Sequence, residues 1–344
     1  MMRVAIVGAG GMAKAHAGCY ANIPGAKVVG VCDIRPDAAE SLASAHGAQA
    51  FGDLDSMLKA AKPDLVDVCV PTPWHAEYVL EAARAGLKGI VVEKPMARTV
   101  EQCDEIIAAC NRGGVPLFVA HVLRFFPEFA AAREQVLAGA VGTPVTVRTR
   151  RGGPFPRAWE NWYGRPDWSG GCILDLIIHD FDWLRWTFGD VERVYAKGLV
   201  GAAAPGQEME RDYALVTLRF RSGVIGHVEG TWADPGGFKV AFEVAGTEGL
   251  LEFNFNQPAG VPYVAAVQSS GGTGPGVAVP ESPVAVSPYQ LELEHFLNAL
   301  ETGTAPCVTP EDGREAVRIA LAALESIETG APVNADGTVN LVHY

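Results

Sequence analysis

The chain has 344 residues, 49% hydrophobic and 19% charged, enough for two globular domains with a core each. Its net charge of −13 at pH 7 argues against a nucleic-acid partner, which would want a basic face to replace phosphate counterions. No stretch approaches the roughly 18 apolar residues of a membrane-spanning helix, so no membrane partner is expected.

Met1-Met2-Arg3 runs straight into Val4-Ala5-Ile6-Val7, too short an apolar run for a signal peptide. The seven cysteines are odd in number and form no C-x-x-C pair. Most sit in apolar segments, so they read as buried, reduced thiols in a cytoplasmic protein, and no metal site is expected.

Over residues 1–120, short apolar runs alternate with helical patterns, the signature of βαβ units and a parallel sheet. Strands are predicted at 3–7, 27–32, 65–70, 89–92 and 116–120, with helices near 11–21, 36–46, 53–61, 74–86 and 99–112. Each strand is nearly all apolar, as expected where helices cover both faces of the sheet.

Between the first strand and the first helix lies Gly8-Ala9-Gly10-Gly11-Met12-Ala13. Gly8 permits the tight turn, Gly10 lets the backbone approach a diphosphate, and Ala13 leaves room for helix–strand packing. The free N–H groups and dipole of the helix N-terminus favour that anion. Twenty residues beyond Ala13, Asp33 ends the second strand, where an acid bonds the 2′-hydroxyl of a ribose. A structural turn with a capping acid is the bland alternative, but the combination points to a Rossmann dinucleotide site. The Asp33 carboxylate repels a 2′-phosphate and so favours NAD. Arg35, two residues on, partly offsets this and leaves NADP possible.

The third strand runs into Val70-Pro71-Thr72-Pro73-Trp74-His75 and the fourth into Val92-Glu93-Lys94-Pro95. Ligands in open α/β sheets bind beyond such carboxyl ends. After Arg124 a helix is expected at 126–138. Strand-like alternation follows from about 143 and across 191–200, 212–220, 223–232, 238–245 and 249–255. Short turns between them point to an open, mostly antiparallel sheet. Helices near 289–302 and 310–328 close the chain, and 256–288 reads as irregular.

The connection 151–171 is long for a compact domain unless it has a function. Trp159, Trp162, Tyr163 and Trp168 could form an apolar wall against sugar C–H groups or merely pack the loop down, and Trp159 and Trp162 are the better candidates. Arg148, Arg150, Arg151, Arg157 and Arg165 either meet an anionic substrate or form surface salt bridges.

From Cys172 to Phe188 the pattern is helical, and Asp175, His179, Asp182 and Trp186 share a narrow arc. A solvent face would more usually carry Lys, Glu and Gln. Oxidising a secondary alcohol needs a hydride acceptor and a base for the hydroxyl proton. His179 suits the base role because its unperturbed pKa is near neutrality, and Asp175 could orient it. Lys94 could donate to the reacting oxygen.

Together the glycine turn, Glu93-Lys94-Pro95, Leu123-Arg124-Phe125 and the run from Gly170 to Asp180 resemble the Gfo/Idh/MocA family of oxidoreductases. That family includes inositol dehydrogenases and glucose–fructose oxidoreductase, and the resemblance covers essentially the whole chain. It implies a Rossmann NAD(P)-binding domain over 1–122 and an α+β domain for substrate binding and oligomerisation over 123–344. Lys94 is implied to touch nicotinamide ribose and substrate, with Asp175 and His179 completing the catalytic group. Pro71, Thr72, His75 and Glu93 are implied along the cofactor, and Arg124 at the substrate. His121 departs from the pattern, since many relatives carry a small residue or asparagine there. The expected protein is a homodimer or homotetramer, joined through the sheet of its second domain, that moves a hydride between NAD(P) and a polyol, sugar or sugar derivative. The alternatives are an NAD-dependent glycosidase and a non-catalytic sensor. The joint presence of Lys94, Asp175 and His179 speaks against the sensor.

Overall fold

The computed structural model describes residues 1–200, 212–254 and 286–335. The chain divides into two units, Met1–Phe125 with Glu281–Arg314, and Phe126–Pro280 with Glu315–Tyr344.

The first unit alternates β1 (Met2–Val7), α1 (Gly11–Asn22), β2 (Ala26–Cys32), α2 (Pro36–Ala45), β3 (Gln49–Phe51), α3 (Leu54–Ala61), β4 (Leu65–Val68), α4 (His75–Ala82), β5 (Gly89–Glu93), α5 (Val100–Gly113) and β6 (Leu117–Ala120). The strands pair in the order β3-β2-β1-β4-β5-β6, all parallel. This is the doubly wound arrangement expected. Local chemistry sets the helix ends: the Asp53 side chain accepts from the Ser56 N–H at the start of α3, and Thr99 accepts from Gln102 N–H at the start of α5. The edge strand β3 was not expected, because three residues are too few to show a period. The strand order reverses between β1 and β4, which opens a crevice at their carboxyl ends.

The second unit begins with α6 (Pro127–Leu137), β7 (Pro144–Gly152), α7 (Pro166–Ser169) and α8 (Ile178–Phe188). It continues through β8 (Val191–Val200), β9 (Asp212–Phe220), β10 (Ile225–Thr231), β11 (Lys239–Gly246) and β12 (Leu250–Asn254). The chain closes with α9 (Pro288–Thr302), α10 (Pro310–Thr329) and β13 (Val333–Asn334). The second sheet runs β12-β11-β7-β10-β9-β8-β13, antiparallel throughout except for the parallel β7–β10 pair. Along β9, residues 212, 214, 216, 218 and 220 are buried, while the alternate ones face outward. On that outer side Tyr195, Leu199 and Leu215 are exposed by 38%, 69% and 44% among ion-paired residues such as Arg148, Arg150 and Arg219, so the sheet has one packed face and one open, mixed face.

A single boundary near residue 122 needs correction, because α9 belongs to the first unit. Its Phe296 stacks on Phe118 of β6 with ring centroids 5.0 Å apart, and Leu300 lies against Gly89 of β5. Helical periodicity reveals an apolar face but not which core it joins. The expectation for 256–288 falls largely outside the described residues.

A second correction concerns the helix expected from 172 to 188. Cys172–Leu176 instead forms one wide π turn, closed by Ile177 N–H donating to the Cys172 carbonyl at 2.9 Å. The α8 helix starts only after it, so Asp175 and His179 do not lie on one regular helix, and Asp182 is buried rather than facing solvent.

The second core is aromatic. Trp183 is fully buried, meets Phe129 edge-on at 5.2 Å and Phe242 at 5.1 Å, and donates its indole N–H to the Phe129 carbonyl at 3.0 Å. Replacing Trp183 by Ala removes all three contacts and leaves a cavity. The expected cost is about 3–5 kcal/mol, read as the shift in denaturant midpoint of the near-UV circular dichroism signal. A loss below ~1 kcal/mol would show that the aromatic cluster does not hold this unit together.

Candidate active site

At the crevice between β1 and β4, Gly8 has φ +102°, and a Cβ on it would sit 2.6 Å from the Cys69 carbonyl oxygen. Only glycine allows the turn to lie this close to the neighbouring strand. Gly10 is different: a Cβ there would meet no atom within 4 Å. Gly10 is the N-cap of α1 and no side chain caps the helix, whose first turn holds no acid. Gly11 is exposed and Met12 half-buried, so the first N–H groups of α1 face open space, the arrangement that receives a diphosphate.

Asp33 stands just past the end of β2 and is 9% exposed. Its carboxylate accepts from the Ala9 N–H at 2.7 Å, which ties it to the glycine turn, and from the Arg35 guanidinium at 2.9 and 2.8 Å. Burial would raise its pKa, but hydrogen bonds from Arg35 and Ala9 hold it below the ordinary carboxylate value. An ionised acid at this place fits an NAD ribose.

Beyond β4, Pro71 leads into a short turn over Thr72–Trp74 in which Thr72 is buried. His75 is buried as well. Its Nδ1 lies 2.7 Å from the Pro95 carbonyl and its Nε2 2.7 Å from the Val70 carbonyl; burial lowers its pKa, so the neutral ring has one N–H and donates to one of these two carbonyls. Between them Glu93 is buried and Lys94 half-buried, and the Lys94 N–H donates to Glu93 Oε2 at 3.0 Å.

Beneath this turn lies a feature missed in the sequence. His16 of α1 is fully buried, with Nδ1 2.9 Å from Asp67 Oδ2 and Nε2 3.2 Å from Glu93 Oε1. Nδ1 is hydrogen-bonded to Asp67, whereas Nε2 stands at ion-pair distance from Glu93 without an aligned hydrogen bond, and two flanking carboxylates favour the charged form of the ring. Burial is the largest single influence and opposes that charge, but Asp67 and Cys69 together outweigh it and raise the His16 pKa well above its ordinary value. Burial likewise opposes the Glu93 charge, and His16, with help from Lys94 and His75, outweighs it and lowers the Glu93 pKa. His16, Asp67 and Cys69 offer ligand atoms within 4.8 Å of one another. Burial pushes the Cys69 thiol far up, though, and a protonated thiol beside an imidazolium is an ionic network rather than a metal donor set. The sequence did hold a signal: Asp67 interrupts an otherwise apolar strand.

Arg124, expected at the substrate, is buried in the first unit. Its Nη1 donates to the Cys307 carbonyl at 2.5 Å and to Asp312 at 3.1 Å, an anchor for the segment before α10. His121 is fully buried at the end of β6.

In the second unit the π turn carries Asp175, which is buried, and α8 carries His179, which is half-buried. The turn enters through Gly170 and Gly171, at φ +71° and +67°, and its first amide, Cys172 N–H, donates to Asp212 Oδ2 at 2.5 Å. A Cβ on Gly171 would sit within 2.4 Å of that same carboxylate oxygen. Asp180, next to His179, is fully buried and accepts from Arg151 Nε at 2.6 Å, which fixes α8 against β7. Asp212 and Arg151 were not foreseen as supports of the site. Three of the other four arginines pair with acids too: Arg148 with Glu243, Arg150 with Glu229 and Asp234, and Arg165 with Asp167. Arg165 also lies 3.5 Å over the Trp168 ring. Trp162 is buried with its ring 3.9 Å from Tyr163, whereas Trp159 remains half-exposed beside Glu160 and Asn161, both at positive φ.

A doubly wound unit with an open diphosphate turn, joined to a unit with a mixed sheet, defines a dinucleotide-dependent oxidoreductase. Residues 2–121 match the oxidoreductase family with an NAD-binding Rossmann fold, and residues 129–252 match the GFO/IDH/MocA C-terminal domain. The chain belongs to this family and is an NAD-dependent oxidoreductase. It is 30% identical to the myo-inositol 2-dehydrogenase of Thermotoga maritima, over 95% of this chain and 96% of that protein. It is also 30% identical to the scyllo-inositol 2-dehydrogenase (NAD(+)) of Bacillus subtilis, over 97% and 96%. Among solved structures, GenD2 from gentamicin A biosynthesis, in complex with NAD, superposes with a TM-score of 0.85 at 26% identity, covering 97% of this chain and 96% of that one. Among the described residues no helix is long and apolar enough to cross a membrane.

Two alanine substitutions separate the roles of the glycines. Gly8→Ala is expected to lower unfolding free energy by about 2 kcal/mol or more, because it adds a clash to a left-handed backbone. Gly10→Ala is expected to leave the melting temperature unchanged and to weaken NADH binding at least ~10-fold in a fluorescence titration. Unaltered NADH affinity in Gly10→Ala would remove the diphosphate from this turn.

Linkage gives a further test. The His16 contribution to stability is complete below its ordinary pKa and lost as pH rises through the raised one. The Glu93 contribution is complete above its ordinary pKa and lost as pH falls through the depressed one. The gap in melting temperature between wild type and Glu93→Gln should therefore close on acidification. A gap that widens in acid would contradict an ionised Glu93.

Proposed function

We propose that this enzyme oxidises a secondary alcohol of a polyol, sugar or sugar derivative, or reduces the matching ketone, with Lys94, Asp175 and His179 as its catalytic group. The observation that carries the reading is the position of Lys94, at the same carboxyl end of one parallel sheet as the open glycine turn and Asp33. Bound NAD⁺ supplies the hydride acceptor. Gly8, Gly10, Gly11 and Met12 hold the diphosphate, Asp33 the adenosine ribose, and Pro71, Thr72 and Glu93 border the cofactor. The Asp33 charge disfavours a 2′-phosphate, and Arg35 is the residue through which NADP would be accepted.

His179 takes the hydroxyl proton and returns it in the reductive direction. Asp175 orients the imidazole and stabilises its charged form, and Lys94 donates to the oxygen on which negative charge grows. Relatives named as inositol dehydrogenases support a ring polyol as substrate. Trp159 gives an aromatic face to sugar C–H groups, while the buried Trp162 supports its loop. The second unit binds substrate and, through the open face of its sheet, joins subunits into a homodimer or homotetramer in the cytoplasm.

The test is NADH formation from NAD⁺ with myo-inositol, other polyols, aldoses, sugar acids and glycosides. Lys94→Ala and His179→Ala should each abolish turnover, a loss of at least ~10³-fold, while NADH still binds. Near-normal turnover in both variants would end the assignment. Glycoside cleavage without net NADH would replace the dehydrogenase reading with that of an NAD-dependent glycosidase.

A further inference from the structure

We infer that His16 is a positioning residue for Lys94, acting through Glu93, so that one buried cation couples the cofactor-binding helix to the catalytic turn. This rests on the role given to Lys94 above. The contacts run in series within the first unit. His16 Nε2 faces Glu93 Oε1 at 3.2 Å, and the other oxygen of that carboxylate, Oε2, accepts the Lys94 backbone N–H at 3.0 Å. The carboxylate thus lies between the His16 ring, at ion-pair distance, and the Lys94 amide, which hydrogen-bonds to it. On its other flank the turn is held by His75 at the Pro95 carbonyl. Lys94 is the half-buried residue between two buried neighbours, Glu93 and Pro95, each gripped by a histidine.

The placement of His16 in α1 gives the bridge its second function. His16 lies one helical turn beyond Met12, on the helix whose N-terminus receives the diphosphate. Any shift of α1 therefore pulls on Glu93. The groups facing the ring are Asp67 of β4, Cys69 just past its end and Glu93 at the end of β5, with Tyr20 of α1 beside Asp67 and Cys69. Farther out are Cys19 on α1 and Glu292 on α9. Asp67 holds the Nδ1 side at 2.9 Å, and the Cys69 thiol donates to the other Asp67 oxygen at 3.4 Å. With Asp67 pinning one nitrogen, the second has a single direction available, toward Glu93. Burying two carboxylates and one imidazolium in an otherwise apolar core is costly, and replacing such sets by apolar residues is often neutral or stabilising. Fold stability alone therefore does not account for the set.

Two amides separate the two sides of the ring. In His16→Gln the side-chain amide reaches the place of Nε2 and can still donate to Glu93. In His16→Asn it reaches only the place of Nδ1, so Asp67 keeps its donor and Glu93 loses one. Hydrogen exchange of the 89–98 peptide, read by mass spectrometry on the full chain, reports the Lys94 amide without any substrate. Exchange there should rise at least ~10-fold in His16→Asn and stay near wild type in His16→Gln, with the rest of the sheet unchanged in both. With NAD⁺ and whichever polyol turns over, kcat should fall ~10–100-fold in His16→Asn, and KM for NAD⁺ should change much less. Glu93→Gln should reproduce that fall, and the double variant should add little to it.

Wild-type exchange at 89–98 together with wild-type kcat in a folded His16→Asn protein would overturn the inference. Equal losses in His16→Asn and His16→Gln, spread over the whole sheet, would overturn it as well. The two ways of failing are distinct. Turnover retained in Lys94→Ala removes the catalytic reading, whereas an inactive Lys94→Ala beside a normal His16→Asn removes only this inference.

Discussion

The approach of Gly8 to the Cys69 carbonyl, where an added Cβ would be 2.6 Å from the oxygen, governs the first unit. It brings the end of β1 against the end of β4 at the point where strand order reverses, the place where an open parallel sheet receives a ligand. Because the turn lies so low, α1 begins with its N–H groups uncapped and open, and Asp33 comes within hydrogen-bond reach of Ala9. A bulkier residue would lift the turn and separate these groups together.

Both units solve one mechanical problem with buried charge. A reactive side chain must sit in a loop or irregular turn, yet be held as firmly as a core residue. In the first unit Glu93 and Pro95 are held by His16 and His75. In the second, Asp212 receives the first amide of the π turn, and the Arg151–Asp180 pair anchors the residue after His179. Such pairs cost desolvation and give direction in return, because a charge-assisted hydrogen bond fixes orientation where apolar packing fixes only volume. The wide π turn fits the same pattern, since such turns recur at functional sites.

The second sheet divides its faces sharply. One holds an aromatic core around Trp183, and the other leaves Tyr195, Leu199 and Leu215 in water beside salt-bridged arginines. Pairing Arg148, Arg150, Arg151 and Arg165 with acids accounts for most of the basic cluster without any anionic ligand.

Most of the architecture was legible in residue order because it follows from local rules. Apolar strands of four to seven residues, helical periods between them and a glycine turn with an acid past the next strand are short-range patterns, and each was read within a few residues of its place. What required tertiary structure was anything set by a partner distant in sequence. Asp67 alone is an oddity in an apolar strand and acquires meaning only when His16, 51 positions earlier, is seen against it. His75 and Arg124 carry motif positions that suggest ligand contact, yet their partners are the carbonyls of Val70 and Pro95, and Asp312. The periodicity from Cys172 to Phe188 was real, but the Asp212 carboxylate and two glycines open its first turn. A pattern counted at one fixed angle per residue cannot register that. Residue order thus determined the dinucleotide turn, the family and the reactive residue types. Burial and long-range pairing decided which of those residues stay open at the carboxyl end of the sheet and which are taken up by buried partners.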